Sequence, residues 1–99
     1  MSRIRWTAQA AYDLQSIHDF IACDSADYAA MVLRRLVAAI EILERFPWSG
    51  RHLPEHDGDD LRELVRPPYR IVYRVSGESI HVITLFRCWR VLADPAHAA

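Results

Sequence analysis

The sequence predicts an α+β fold: an N-terminal strand, then an antiparallel helical hairpin packed on an antiparallel sheet, in the order β-α-α-β-β-β. Three observations carry this. Apolar residues recur at steps of three and four from residue 8 to about 46, the repeat of amphipathic helices. After residue 60 the repeat drops to two, in segments rich in β-branched and aromatic residues. Between these regions, residues 51 to 60 form a polar loop with no period.

Each element has its own justification. Ile4-Arg5-Trp6 is a short strand candidate, and Thr7 is placed to cap the helix that follows, its hydroxyl accepting an orphan backbone N–H. In the first helix, near 8 to 23, Ala10, Leu14, Ile17 and Ile21 form the buried stripe, with Asp13 and Asp19 on other faces. Cys23-Asp24-Ser25 breaks the pattern and offers a second cap. The second helix, 26 to 46, carries Ala29, Val32, Leu33, Leu36, Ile40 and Leu43 as a broad stripe, and Pro47 ends it. So short a link between two amphipathic helices gives an antiparallel pair. Strands are expected at 61 to 66, 69 to 75 and 79 to 86, with Ser76-Gly77-Glu78 as a hairpin turn. The last strand has bulky apolar groups on both faces, which suggests a central position covered on both sides. Trp6 and Trp48 are expected in core and hinge packing.

The 99 residues make one domain, 1–99, with a single modest core. No apolar run is long enough to span a membrane, and the first residues lack the apolar stretch of a secretion signal, so a cytoplasmic location is expected. Cys23 and Cys88 have no metal-like spacing and are expected as reduced thiols. His52 and His56 have a ligand spacing that has meaning only on a helix. Pro54 and Gly58 make their segment a loop, so no metal and no cofactor is expected.

The net charge of −1 hides a division. Residues 1 to 61 hold six Arg against ten Asp and Glu, while residues 62 to 99 hold six Arg against three. All twelve basic residues are Arg. Either codon usage in a GC-rich genome or a need for planar, permanently charged forks accounts for that. Arg62, Arg66, Arg70 and Arg74 recur at every fourth position, and an even spacing suggests one basic sheet face. Such a row either covers a solvated face or meets an anionic partner.

The chain resembles the ParE/RelE superfamily of toxins from bacterial type II toxin–antitoxin pairs. The resemblance spans nearly the whole length and rests on five stretches in order. They are Trp6-Thr7-x-x-Ala10-x-x-Asp13-Leu14-x-x-Ile17, Phe46-Pro47-x-x-Gly50-Arg51, Leu61-Arg62-Glu63-Leu64, Pro68-Tyr69-Arg70-Ile71-Val72-Tyr73-Arg74-Val75, and Ile83-Thr84-Leu85-Phe86-x-x-x-Arg90. The resemblance implies either a ParE-like inhibitor of DNA gyrase or a RelE-like ribosome-dependent mRNA endonuclease. It also implies a cognate antitoxin, ParD-like or similar. A degenerate toxin kept as an antitoxin-binding module is a third alternative.

RNA cleavage needs proton carriers as well as cations. By resemblance Arg70 and Arg90 match basic family positions, and Arg87 stands where many relatives have histidine or lysine. Where RelE-like enzymes place lysines on the preceding strand, this chain has Leu61 and Glu63, and no tyrosine follows Arg90. His81 is mid-strand and His97 is near the end. Arginine is a poor general base. The expectation is therefore a ParE-like toxin that binds rather than cuts. Arg62, Arg70, Arg74, Arg87, Trp89 and Arg90 are its expected target- or antitoxin-binding residues; for Trp89, packing is the other reading. No catalytic residue is expected, Arg70, Arg87 and Arg90 being the set for the nuclease alternative.

Overall fold

The computed structural model describes residues 2–53, 55–56, 58 and 60–88. In chain order they form β1 (Arg3–Trp6), α1 (Ala8–Ala22), α2 (Ala26–Glu41), a 3-10 turn (Ile42–Glu44), β2 (Arg51–His52), β3 (Leu61–Arg66), β4 (Tyr69–Ser76) and β5 (Ser79–Arg87). This is the α+β arrangement expected from the change of period. Both predicted caps form. Thr7 Oγ1 accepts the Ala10 N–H at 3.1 Å, and Ser25 Oγ accepts the Tyr28 N–H at 3.1 Å. The second helix is shorter than expected. Its α-helical hydrogen bonding stops at Glu41 and tightens into the 3-10 turn, because the backbone must leave helical geometry before Pro47.

Among the described residues the strands form one sheet in the order β1-β5-β4-β3-β2. The pairs β2–β3, β3–β4 and β4–β5 are antiparallel, while β1 joins β5 in parallel across the helical crossover. The two-residue strand β2 lies in the segment read as loop. Two residues are too few to show an alternation, yet Arg51 pairs with Glu63 and His52 with Arg62.

The last strand differs from its expected place. The centre of the sheet is β4, and β5 lies between β4 and the edge strand β1. Val72 pairs with Thr84 and Tyr73 with Val82, so Ile83 is an extra residue in β5. A bulge of this kind reverses which side chains face inward. Ile80 and Val82 before it and Leu85 after it are therefore all buried. Ile80, Val82 and Leu85 thus belong to one covered face whose phase shifts midway, while Phe86 lies on the other face, opposite Arg70, and is 39% exposed.

The core lies between the helical layer and this face. Ala10, Val32, Leu36, Ile40 and Leu43 meet Leu64, Ile71, Tyr73, Val75, Ile80 and Val82, with Ile4, Leu14, Ile17 and Ile21 packed around them. Trp6 and Trp48, expected in core and hinge packing, are 37% and 52% exposed. Gly77 takes φ of +59° in the turn after β4, a left-handed conformation that glycine adopts without a Cβ clash.

Beyond Val82, β1 no longer reaches β5, and α1 takes over that edge. The Thr7 hydroxyl lies 2.8 Å from the Val82 carbonyl and 2.9 Å from that of Ile83. Asp13 accepts from the Leu85 N–H and from the Thr84 hydroxyl. Asp13, placed off the buried stripe by its spacing, therefore fixes α1 to the sheet. The Asp13 carboxylate supplies the acceptor that a further strand would have given.

Candidate functional site

The arginine row does not lie on one face. In the β3–β4 hairpin Arg62 stands opposite Tyr73 and Arg66 opposite Tyr69, whereas Arg70 stands opposite Val65 and Arg74 opposite Leu61. Residues directly opposite in a ladder share a face. Arg62 and Arg66 therefore sit on the side of the buried Tyr69 and Tyr73, and Arg70 and Arg74 on the other. A spacing of four keeps a face only within one strand. The turn through Pro67 and Pro68 pairs even positions with odd ones, so the parity changes there.

The outer face is built around Glu63. Its side chain has no solvent exposure, although the other buried positions of the described residues are apolar. Arg51 Nε donates to Glu63 Oε1 at 2.7 Å, and Arg70 Nη2 donates to Glu63 Oε2. A buried carboxylate needs such partners, because removing its charge from water without them is costly. Arg70 is 17% exposed and lies over the Phe86 ring, 5.6 Å from its centroid. Burial opposes the arginine's charge, but Glu63 by hydrogen bond and charge, with help from Cys88, holds its pKa above the ordinary value. Its Nε is buried and meets no acceptor among the described residues. Sequence reasoning treated Glu63 as a missing lysine. The signal that was available is a lone acid in a run of arginines, on a strand facing Arg70.

Arg74 and Arg62 are held as well. Arg74 Nε lies 3.2 Å from Asp60 Oδ2, and Asp60 also meets His56 Nε2 at 2.9 Å. The His56 hydrogen bond is the main reason the Asp60 carboxyl sits below its usual pKa. Arg62 donates to the Gly50 carbonyl at 3.0 Å and stacks on Trp48, 4.9 Å from the ring centroid. Arg87 ends β5 opposite Tyr69, on the helical side, so the ladder does not put it on the face of Arg70. Trp89 and Arg90 lie outside the described residues.

Beneath Arg62, Tyr73 clasps the segment after the 3-10 turn to the sheet. Its hydroxyl donates to the Pro47 carbonyl at 2.9 Å and accepts the Gly50 N–H at 2.8 Å. A Cβ at Gly50 would stand 2.5 Å from the Tyr73 hydroxyl and 2.7 Å from the Glu63 carbonyl, so only glycine fits there. This gives the Pro47-x-x-Gly50-Arg51 spacing a physical reason: it delivers Arg51 to Glu63.

Among the described residues no group of His, Cys, Asp or Glu is gathered to hold a metal ion, and no helix is long and apolar enough to cross a membrane. Cys23 and Cys88 are not joined in a disulfide.

Compared with known proteins, residues 4–90 match the family described as the ParE toxin of the type II toxin–antitoxin system parDE. The chain is 39% identical over 85 residues to a toxin named Y4kP from Sinorhizobium fredii, covering 84% of each. It is 35% identical over 86 residues to the toxin RelE2 of Caulobacter vibrioides, covering 86% of this chain and 93% of that one. Among solved structures, a chain of the chromosomal ParDE system of P. aeruginosa superposes with a TM-score of 0.72 at 25% identity, over 89% of this chain and 97% of that chain. A chain of the RelBE2 toxin–antitoxin complex of Mycobacterium tuberculosis shares the fold, with a TM-score of 0.65 at 20% identity over 87% and 96%.

Proposed function

The chain belongs to the ParE toxin family of type II toxin–antitoxin systems, and from that premise we propose that it inhibits DNA gyrase by binding. A cognate ParD-like antitoxin neutralises it in the cytoplasm. The observation that carries the choice of binding over cleavage is the Glu63–Arg70 pair. The arginine that a nuclease would aim at phosphate is engaged with a carboxylate on the neighbouring strand. That carboxylate, sealed between two guanidiniums, is poorly placed to carry protons to a substrate. Arg87 stands apart from this cluster, exposed at the end of β5. With Trp89 and Arg90, which follow it in sequence, it is the part of the expected set best suited to contact the target. Tyr12 and Phe20, 69% and 72% exposed on α1, give the antitoxin an apolar surface to cover.

The second reading, ribosome-dependent cleavage of mRNA, has in its favour the relative named RelE2. One experiment separates them. The purified chain is added to a gyrase supercoiling reaction and, separately, to ribosomes translating a defined mRNA. Inhibited supercoiling with intact mRNA is expected. Cleaved mRNA with unimpaired gyrase would overturn the proposal.

A further inference from the structure

On the helical side, away from Glu63, a cavity of about 250 Å³ opens between α2 and the turn joining β3 to β4. Its floor is Val32 and Tyr69, both buried, and one wall is the pair of prolines, Pro67 and Pro68. Arg35 comes from α2 and Arg66 from the end of β3, both exposed. Tyr28, Val32 and Arg35 recur at steps of four and three, so one helical stripe presents a phenol, an apolar surface and a cation in turn. No acidic residue lines the cavity. Among the described residues no carboxylate pairs with Arg35 or Arg66, and the hydrogen bond of the Arg66 side chain goes to the adjacent Val65 carbonyl. These two guanidiniums therefore differ from those of Arg51, Arg70 and Arg74, each of which has an internal carboxylate.

We propose that this cavity receives an acidic side chain of the antitoxin together with a neighbouring apolar side chain. The carboxylate sits against Arg35 and Arg66, and the apolar group lies on Val32 and the proline rings. Guanidinium binds carboxylate through paired, charge-assisted hydrogen bonds. Small-molecule sites occupy roughly 300–1,000 Å³; at 250 Å³ this cavity is side-chain sized. Tyrosine and arginine around an apolar pocket are the residue types that dominate interface energetics. The proline wall is rigid before binding, so little ordering is required of it. The occupant rests on the antitoxin reading above, and the cavity is a second contact beyond the exposed face of α1.

The test uses the full chain and its full-length cognate antitoxin, with affinity measured by calorimetry. Arg35→Gln and Arg66→Gln are each expected to weaken binding about ten- to hundredfold, the loss of a charge-assisted contact. The loss should shrink at high salt. Unfolding curves on the same samples should match the parent, since both side chains are exposed. Replacing one Asp or Glu of the antitoxin by its amide should reproduce the loss and add nothing to it in the double variant. Unchanged affinity in both arginine variants, with the parent binding tightly, would overturn the cavity assignment alone. Absence of binding by the parent would instead sink the antitoxin reading. A dimer of the isolated chain dissolved by Arg66→Gln, with antitoxin affinity intact, would assign the cavity to a second copy and also overturn the proposal.

Discussion

Glu63 on β3 and Arg70 on β4 are diagonal neighbours on one sheet face. Glu63 stands opposite Val72, and Arg70, two positions away along β4, reaches back to its carboxylate. The carboxylate has no solvent contact, and its second oxygen is held by Arg51. The two arginines are unequal: Arg70 is largely enclosed, whereas Arg51 is 52% exposed.

That inequality sets the first prediction. Breaking a buried pair by removing one partner costs about 3–5 kcal/mol, because the other charge stays desolvated. Arg70 keeps some solvent, so Glu63→Ala should destabilise by about 2–3 kcal/mol. Arg51→Ala should cost no more than about 1 kcal/mol, the value for exposed pairs. Urea unfolding with an unchanged slope checks both. Equal losses would mean that Arg51 is the carboxylate's real partner.

A second prediction concerns the clasp formed by Tyr73. Tyr73→Phe leaves the Pro47 carbonyl and the Gly50 N–H without their partner, at about 1 kcal/mol for each bond. Gly50→Ala drives a Cβ into the Tyr73 hydroxyl and the Glu63 backbone, and should cost more. In the double variant part of the clash disappears with the hydroxyl. The two losses should therefore sum to more than the loss measured together. Strict additivity would show that the Glu63 carbonyl and the aromatic ring, which both remain, suffice to exclude a side chain.

Tyr69 and Tyr73 also make stability depend on alkaline pH. Burial raises both phenols above their usual value of 10, since the phenolate would be desolvated. A raised folded pKa means that the folded chain holds its proton where the unfolded chain has released it. Their contribution is therefore fully present below pH 10 and is lost as pH rises through the higher folded values. Denaturant midpoints should stay level from neutrality to about pH 9.5 and then fall. Tyr73→Phe should flatten part of that fall.

How far these features were legible in the sequence follows from the range of the signal. Periodicity located both helices and the three long strands, and residue type the two caps, because each is set by residues within or beside one element. The fate of the arginines was not local. Their common face depended on how β3 and β4 are paired, and the turn at Pro67 and Pro68 reverses the parity that an even spacing suggests. The bulge at Ile83 hid in the same way, as one apolar residue too many in an otherwise regular alternation. Asp13 looked peripheral on a helical wheel, yet it completes the edge of β5. Glu63 had no visible partner until the strands were adjacent. Local patterns identify elements, whereas pairing registers decide which charges meet.

The last prediction uses the Glu63–Arg70 pair to separate binding from cleavage. Arg70→Ala alone is ambiguous, because it strands a buried carboxylate on Arg51 and weakens the fold whatever the activity. Replacing both partners with groups of similar shape avoids that penalty and is often near neutral. Glu63→Gln combined with Arg70→Met should keep the fold, with the amide oxygen still able to accept from Arg51. If the toxin acts by binding through Arg87 and the residues after it, this double variant should inhibit gyrase within a few-fold of the parent. Arg87→Ala should weaken inhibition in a chain that still unfolds cooperatively. If Arg70 instead steadies a scissile phosphate, the folded double variant should lose cleavage by about 10²–10³, the usual cost of removing a contact to developing charge. A folded double variant that still inhibits supercoiling would remove Arg70 from the toxic surface and leave it as a structural cation.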